Sequence, residues 1–513
     1  MRILSAALSL GLMLLPAQSV LAQSDYKAEE KELDSFIAKG MKDWKLPGMS
    51  IVVVKDGKVV YLKGFGIRTL GDTAAVDPDT EFGIMSTTKA MTALSIAMLV
   101  DEGKIKWDTP VTDYLPWFQM PTPYLTEQVT VRDLLRHNAG LANADALWAR
   151  GDVDSHEIIR RIRGLKPAYS LRSSWSYNNV MYGVAGEVVA AASGMSWEQF
   201  VTTRILKPLE MNHSYATLAL ELASKDTNRS SAHFVIDKQL KVIKELPVDS
   251  VPSAGATWST ASDMGHWLRF LLDGGQYNGK RLVSEANFHE LFSPQALVPA
   301  NDFYPSTKLT KPHWTAYGLG WFLQDYHGKY VAMHTGSLDG RTALIGLLPD
   351  EGIGMYVFGN ADHVELRHAL MLKVFDLYTG APARDWSADL LKVYGDANAV
   401  QDKAMVEQEK KRVTNTHPSL PLKAYVGTYL NPVWGDIVVS EAGGKLKIRF
   451  GIGAQNEGFL QHWNYDSFRV KFGDGRYGWT LFQFALSPNG EVANIVWENS
   501  DDYRFVKERE QRK

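Results

Sequence analysis

The chain has 513 residues, which exceeds one ordinary domain and suggests two or three. Hydrophobic residues make up 45% of it and charged residues 22%, as in ordinary globular proteins. The net charge of −3, without long basic runs, gives no indication of a nucleic-acid or anionic-membrane partner. Because the chain has no cysteine, disulfides and a lipid-attachment cysteine are excluded.

The N-terminus has the pattern of an export signal. Arg2 precedes an apolar stretch, and the small-residue pattern ending at Ala22 is typical of a cleavage site. An uncleaved membrane anchor is the alternative, but the apolar run is shorter than the ~20 residues that a spanning helix needs. We therefore predict that residues 1–22 are removed and that the mature chain is periplasmic or secreted, with no membrane attachment after cleavage.

In chain order, a charged helix is predicted over about residues 25–43. A β-hairpin follows over 48–67, where two β-branched runs flank an Asp-Gly turn. Residues 83–104 read GIMSTTKAMTALSIAMLVDEGK and predict a helix that is apolar nearly all round, as expected of a central, buried helix. Helices and long loops follow, and then short β runs as far as residue 360. This order favours an α+β fold over repeated βαβ units.

The character of the chain changes twice more. Residues 23–381 are predicted to form the first domain, and the charged residues 382–418 a helical connector. From residue 419 to 513, apolar and polar residues alternate between turn residues, which predicts roughly eight strands in a small β-barrel or sandwich.

Ser86 and Lys89 are three positions apart at the start of the apolar helix. Side chains at i and i+3 share a helix face, so Lys89 Nζ can reach Ser86 Oγ. A partly buried lysine has a lowered pKa and can act as a base toward a serine nucleophile. A capping serine beside a solvated lysine is the alternative. A second Ser-x-x-Lys, at Ser24 and Lys27, has no apolar helix after it and is treated as accidental.

Tyr177 and Asn179 directly precede another apolar helix. Tyr177 can share a proton with Lys89 and protonate a leaving group, provided that nearby cations lower the pKa of its phenol. Asn179 can hydrogen-bond Lys89 and a substrate amide. A buried structural tyrosine is the alternative, and a rival pair, Tyr429 and Asn431, lies at a predicted turn of the β-rich tail.

The third element is His334-Thr335-Gly336-Ser337, at the end of a β run. The glycine would let a substrate lie close against the strand edge. The backbone N–H of Ser337 would be the second oxyanion donor beside that of Ser86. His334 would polarise or orient the substrate, although a lone histidine is more often structural.

Ser-x-x-Lys, Tyr-x-Asn and His-Thr-Gly, in this order, resemble the signature of the penicillin-recognising serine hydrolases. With Tyr-x-Asn second, the chain is similar to the class C β-lactamase and D,D-peptidase branch, from about Leu33 to Gly380. The tail resembles the lipocalin-like barrels appended to some of these hydrolases. The resemblance implies an α+β fold of the β-lactamase/transpeptidase type, with an antiparallel sheet and a helical domain, followed by an all-β barrel.

The function implied is a serine hydrolase that forms an acyl-enzyme on D-amino-acid peptides, including peptidoglycan-type peptides, or on β-lactams. His334 stands where typical β-lactamases have lysine, which favours a peptidase or an esterase. Arg341 would pair with a substrate carboxylate, and an ordinary surface arginine is the alternative. A carboxylesterase and a non-hydrolysing binder of penicillin or cell-wall fragments remain alternatives, as does a docking role for the tail. No cofactor, metal or nucleotide is implied, and the oligomeric state is not predicted.

Overall fold

The computed structural model describes residues 26–149, 153–451, 456–497 and 501–508. The predicted export signal, residues 1–22, lies outside the described residues. Within the described ranges, no helix combines the length and the apolarity that crossing a bilayer requires.

The helices of the described residues are α1 Lys27–Asp43, α2 Thr88–Asp101, α3 Pro123–Gln128, α4 Val131–Leu135, α5 Ser155–Arg161, α6 Asn179–Ser193, α7 Trp197–Val201, α8 Leu218–Ser224, α9 Pro252–Gly255, α10 Ala261–Leu272, α11 Glu285–Phe292, α12 Thr307–Thr310, α13 Leu366–Thr379 and α14 Trp386–Lys410.

The strands before α13 are β1 Gly48–Lys55, β2 Lys58–Gly66, β3 Phe82–Gly83, β4 Ala232–Ile236, β5 Gln239–Ile243, β6 Trp258–Ser259, β7 Gln276–Tyr277, β8 Lys280–Arg281, β9 Ala296–Leu297, β10 Thr315–Tyr317, β11 Phe322–Tyr326, β12 Lys329–Leu338, β13 Arg341–Leu348 and β14 Ile353–Gly359. The strands after α14 are β15 Gly427–Leu430, β16 Ile437–Ala442, β17 Lys445–Phe450, β18 Glu457–Phe459, β19 Gln461–Asn464, β20 Ser467–Val470, β21 Thr480–Leu486, β22 Val492–Trp497 and β23 Arg504–Lys507.

An antiparallel sheet organises the first part of the chain. Its eight described strands have the order β2-β1-β14-β13-β12-β11-β10-β9, so the N-terminal hairpin pairs with a strand more than 300 residues later. Strand β1 is buried on both faces because its side chains alternate between two cores. Val52 and Val54 pack in the core that contains α2, whereas Ile51 and Val53 pack in the core that contains α13. The predicted hairpin, antiparallel sheet and α+β class are confirmed.

Helix α2 runs through the larger of these cores. Its residues from Thr88 to Leu99 are all buried, and its neighbours include α6, α9 and α11. A helix that is apolar all round has no face to give to water, so it can be stable only inside the protein. This central position explains why Lys89 is buried.

The second part is a nearly closed barrel. Its nine described strands have the order β18-β17-β16-β15-β23-β22-β21-β20-β19, and the two edge strands follow one another in the chain. The predicted all-β barrel is confirmed. The sequence predicts roughly eight strands, and the described residues form nine. Helix α14 lies within the predicted connector, and its first residue, Trp386, is anchored in the first part by a bond from Nε1 to Asp376 Oδ2 (2.6 Å). The exact domain boundaries stay a prediction.

The barrel contacts the turn that follows β12. Arg476 Nη1 lies 3.0 Å from Asp339 Oδ2, and the Tyr477 hydroxyl also bonds Asp339. The preceding residue, Leu338, lines the candidate cleft described below. A role of the barrel in shaping that cleft stays a prediction.

Candidate active site

Ser86 lies on a single 3₁₀ turn, Met85–Thr87, that leads directly into α2. Ser86 lines a cleft with a volume of about 540 Å³. Met85 has φ of 47°, a left-handed conformation that is uncommon for a residue with a side chain. Such backbone strain persists only where the surrounding structure enforces it, and it is concentrated at functional sites. The turn that presents Ser86 is therefore held in this conformation by its surroundings, as are other turns of the described residues that have a positive φ.

Lys89 lies one helical turn after Ser86 and is fully buried. Its Nζ is 3.1 Å from Ser86 Oγ, 2.6 Å from Asn179 Oδ1 and 2.8 Å from the carbonyl oxygen of Ala254. Loss of solvation lowers the pKa of Lys89 to about 7, against a smaller opposing effect of Asp145. A neutral amine has two protons for the oxygens of Asn179 and Ala254 and a lone pair for the hydroxyl of Ser86. This arrangement suits a base beside a nucleophile.

Asp145 holds the amide of Asn179 in place. Asn179, the first residue of α6, donates from Nδ2 to Asp145 Oδ1 (2.9 Å), and so its Oδ1 is directed at Lys89. Asp145 Oδ1 also accepts from Trp148 Nε1 (2.8 Å). The sequence analysis missed Asp145 because it begins a single 3₁₀ turn, Asp145–Leu147, whose spacing to the other motifs carries no periodic signal.

Tyr177 lines the cleft next to Ser86, but its ionisation differs from the expectation. Burial raises the pKa of Tyr177 well above 10, and the nearby Ser86 hydroxyl opposes this only in part. Lys89 Nζ lies over the aromatic ring, 4.8 Å from its centroid, and therefore does not stabilise a phenolate oxygen as a hydrogen-bonding cation would. Tyr177 is a neutral phenol that can donate a proton.

Strand β12 forms one wall of the cleft through Thr335, Ser337 and Leu338. Strand β11 pairs with β12 only as far as Met333, so among the described residues the last part of β12 has no strand on that side. An edge of this kind can hydrogen-bond an extended substrate. The oxyanion role of the backbone N–H groups of Ser86 and Ser337 stays a prediction.

Gly336 has a structural role that the sequence analysis did not predict. A Cβ at this position would lie 2.3 Å from the backbone oxygen of Ile84 and 3.1 Å from Met85 Cβ. The absent side chain therefore makes room for the turn that carries Ser86, and the predicted role toward a substrate stays a prediction. Glycine is needed because β12 and this turn are in direct contact.

His334 does not line the cleft, which differs from the predicted role in orienting substrate. Its Nδ1 is 2.7 Å from the carbonyl oxygen of Thr335, and its Nε2 is 2.9 Å from the hydroxyl of Tyr317. Burial, followed by the proximity of Lys89, lowers the pKa of His334 to about 3. A neutral histidine with both nitrogens bonded positions its neighbours and supplies no cation.

Arg341 is not available to a substrate carboxylate either. Its side chain is 1% exposed and forms an ion pair with Glu245, including a bond of 3.1 Å from Nε to Oε2. Its Nη1 also donates to Ser230 Oγ (2.5 Å). The guanidinium lies outside the cleft lining because the β12–β13 turn directs it into the protein.

A buried arginine that the sequence analysis missed supports β12 from behind. Arg367 Nη1 donates to the carbonyl oxygen of Gly336 (2.5 Å) and to Ser337 Oγ (2.9 Å). Its charge is matched by Glu365, with Nη2 and Oε1 3.0 Å apart. This pair fixes the part of β12 that faces Ser86. In the sequence it is an ordinary charged pair at the start of a helix, and nothing distinguishes it.

The ionisable side chains that line the cleft are acidic. Among the described residues that line it, Asp145 and Asp302 are carboxylates and none is lysine or arginine. Trp148, Trp175 and Tyr304 supply aromatic surface. A substrate in this cleft meets aromatic and acidic groups beside the nucleophile.

A serine and a buried lysine one helical turn apart, facing the edge of an antiparallel sheet, define a serine hydrolase site of the Ser-x-x-Lys kind. Residues 33–375 match the Beta-lactamase family, and the chain belongs to this family of serine hydrolases. Residues 411–512 match a domain of unknown function named DUF3471.

Relatives support the same family. The chain is 28% identical over 437 residues to "Unguisins hydrolase ungD'" of Aspergillus campestris, covering 80% of this chain and 77% of the relative. It is 27% identical over 343 residues to "Protein flp" of Staphylococcus aureus, covering 64% of this chain and 63% of that protein. The octameric penicillin-binding protein homologue from Pyrococcus abyssi has the same fold, with a TM-score of 0.61, 24% identity and coverage of 93% of this chain and 99% of that chain.

Proposed function

We propose that this protein hydrolyses amide or ester bonds through an acyl-enzyme on Ser86, and that its substrates are D-amino-acid peptides with a free amine or no charge near the scissile bond. The proposed reaction rests on the contact between Ser86 Oγ and Lys89. Burial lowers the pKa of this lysine to about 7. The acidic lining of the cleft carries the proposal of the substrate.

In the proposed mechanism, neutral Lys89 takes the proton of Ser86 as Oγ attacks the carbonyl carbon. The oxyanion that forms is stabilised by the backbone N–H groups of Ser86 and Ser337. As the bond to the leaving group breaks, Tyr177 gives that group its proton and regains one from the ammonium of Lys89 through a bridging water, since Nζ lies over the ring and not at the hydroxyl. Water then attacks the acyl group with the same residues in reverse, and Ser86 is released.

The substrate preference follows from charge. β-Lactams and the peptides that carboxypeptidases cleave have a carboxylate near the scissile bond, and an arginine or lysine normally binds such a group. Here Arg341 is bonded to Glu245, and His334 is neutral. Asp302, which is exposed at the cleft, would repel a carboxylate and attract an ammonium.

The expected exclusion of carboxylate ligands is tested first by intact-mass spectrometry of the mature protein with benzylpenicillin, wild type beside Ser86→Ala. We expect weak or no labelling of wild type by this carboxylate ligand. A persistent adduct on wild type alone would support a penicillin binder, and fast consumption of penicillin would support a β-lactamase. Either result would contradict the preference proposed here.

The preference is tested by comparing hydrolysis of D-alanine p-nitroanilide, its N-acetyl form and p-nitrophenyl butyrate. We expect the free amine to raise kcat/KM over the acetylated amide, and Asp302→Asn to reduce that difference. Asp350→Asn is the matched control, because Asp350 is exposed and lies outside the cleft. An enzyme that cleaves only the ester would be a carboxylesterase. Equal rates on both amides would refute the charge argument.

The proposed compartment is the periplasm or the exterior of the cell. The export pattern of residues 1–22 supports it. N-terminal sequencing of the protein recovered from its native host is the test. A first residue of Gln23 is expected, and an intact Met1 would contradict the proposal.

A further inference from the structure

A second cluster of polar side chains lies outside the cleft. Glu81, His213 and Asp226 each offer one ligand atom, and these atoms all lie within 4.8 Å of one another. None of the three lines the cleft that contains Ser86. The cluster joins parts of the chain that are distant in sequence.

Glu81 is the unusual member of this cluster. Its side chain is 0% exposed, and neither carboxylate oxygen has a hydrogen bond of normal length and angle, although the Glu221 carboxyl and the Tyr215 hydroxyl are its polar neighbours. A buried carboxylate without a partner is costly, so it must be protonated or matched by a positive charge. Arg229, which is half-buried beside Glu81, does not supply that charge, because it is paired with Glu221, with Nη1 and Oε2 3.0 Å apart.

The carboxyl of Glu221 makes the surroundings of Glu81 more negative. Burial, and then the neighbouring Glu221, raise the pKa of Glu81 to about 8. A proton on Glu81 is thus the competing explanation for its burial, and the experiment below distinguishes the two. A divalent cation would satisfy both oxygens of Glu81 and offset the charge of Glu221 as well.

The other two members approach Glu81 from the surface. The His213 side chain is 52% exposed, and its Nδ1 is 3.9 Å from Asp226 Oδ2. Both residues are held by their surroundings. The His213 backbone N–H donates to Asp263 Oδ2 (2.8 Å), and Asp226 Oδ1 accepts from the backbone N–H of Asn228 (2.8 Å). These bonds hold the His213 backbone and one oxygen of Asp226, and the imidazole and the other oxygen of Asp226 lie beside Glu81 on a side that water can reach.

We propose that Glu81, His213 and Asp226 bind a divalent transition-metal ion, of which Zn²⁺ is the best match. One imidazole nitrogen with two carboxylate oxygens is a mixed donor set that suits Zn²⁺ better than Ca²⁺ or Mg²⁺, which prefer oxygen ligands alone. Water would complete the coordination from the exposed side of His213. The ion is structural, because no residue of the cluster reaches the cleft.

The position of Glu81 indicates which segments a bound ion would stabilise. Glu81 precedes β3, which pairs with β6 and leads to the turn that carries Ser86. The backbone N–H of Glu81 donates to Asn228 and its carbonyl accepts from Ser230, so the segment after Asp226 runs beside it. A bound ion would join these segments and stabilise the base of the nucleophile turn. This inference does not depend on the proposed function.

The test is metal binding by the mature full-length protein after treatment with a chelator. Isothermal titration with ZnCl₂, checked by elemental analysis after gel filtration, is expected to give one tightly bound Zn²⁺ per chain and a higher Tm. CaCl₂ and MgCl₂ are expected to bind much more weakly. His213→Ala and Asp226→Asn should each weaken Zn²⁺ binding by about 10- to 100-fold or more, because loss of even an outer-shell partner costs that much.

The control is His313→Ala. His313 is also an exposed histidine paired with an aspartate, with Nδ1 2.8 Å from Asp325 Oδ2, but it is not part of the cluster. It should leave Zn²⁺ affinity and the Tm gain unchanged. Glu81→Gln should also weaken Zn²⁺ binding. If that variant does not fold, His213→Ala still tests the metal site, because His213 is at the surface and its substitution should not prevent folding. No Zn²⁺ binding, or equal affinity in wild type and His213→Ala, would overturn the proposal and leave Glu81 as a buried protonated acid.

Discussion

The pH dependence of acylation tests the ionisation of Lys89 directly. Burial moves its pKa from the ordinary 10.5 to about 7. At ~1.4 kcal/mol per pKa unit, this favours the neutral amine by roughly 5 kcal/mol. The amine must be neutral to take the proton of Ser86. Acylation should therefore fall about tenfold per pH unit below pH 7 and become level above it.

The assay uses a fluorophosphonate probe, which has no titrating group of its own and labels an activated serine whatever the natural substrate. The second-order labelling rate is measured from pH 5 to pH 9 at constant ionic strength, with Ser86→Ala as the unlabelled control. Asp145→Asn provides a second check. Because the Asp145 carboxylate raises the pKa of Lys89, its removal should move the midpoint to lower pH. A wild-type rate that still rises steeply at pH 9, or that is flat throughout, would refute a lysine base with a lowered pKa.

Three further predictions concern single substitutions. Gly336→Ala should lower kcat about 100-fold with little change in secondary structure by circular dichroism, because its Cβ would lie 2.3 Å from the Ile84 oxygen and displace the nucleophile turn. Equal activity would contradict this. Tyr177→Phe should lower kcat about 10²- to 10⁴-fold on amides and less on activated esters, whose leaving groups need no proton. A uniform loss would argue against a proton donor. Arg341→Leu should cost about 1–3 kcal/mol in urea unfolding, because the buried bonds to Ser230 and the pairing of the partly exposed Glu245 are lost, and should leave KM unchanged. A raised KM for carboxylate substrates would instead place it at the site.

The sequence was sufficient where the pattern is local. Apolar residues all round the helix that contains Lys89 predicted its burial, and the spacing of three residues predicted the contact with Ser86. Alternating residues in the tail predicted a barrel, although the count of strands differed because short strands such as Glu457–Phe459 have little pattern of their own.

The tertiary structure alone decided the electrostatics. Asp145, Arg367 and Glu81 look like ordinary surface charges in the sequence, because their roles depend on which distant segments pack beside them. The environment also decided the ionisation of Tyr177 and the bonding of Arg341, in both cases against the expectation.

What the sequence by itself determined is therefore the family, the fold class and the serine–lysine pair, since each is encoded in residue types at fixed spacing. What only the tertiary structure decided is which charges face the cleft and which are neutralised within the protein. The physical reason is that a pKa or an ion pair depends on solvation and on neighbours in space, and these are set by long-range packing and not by local sequence.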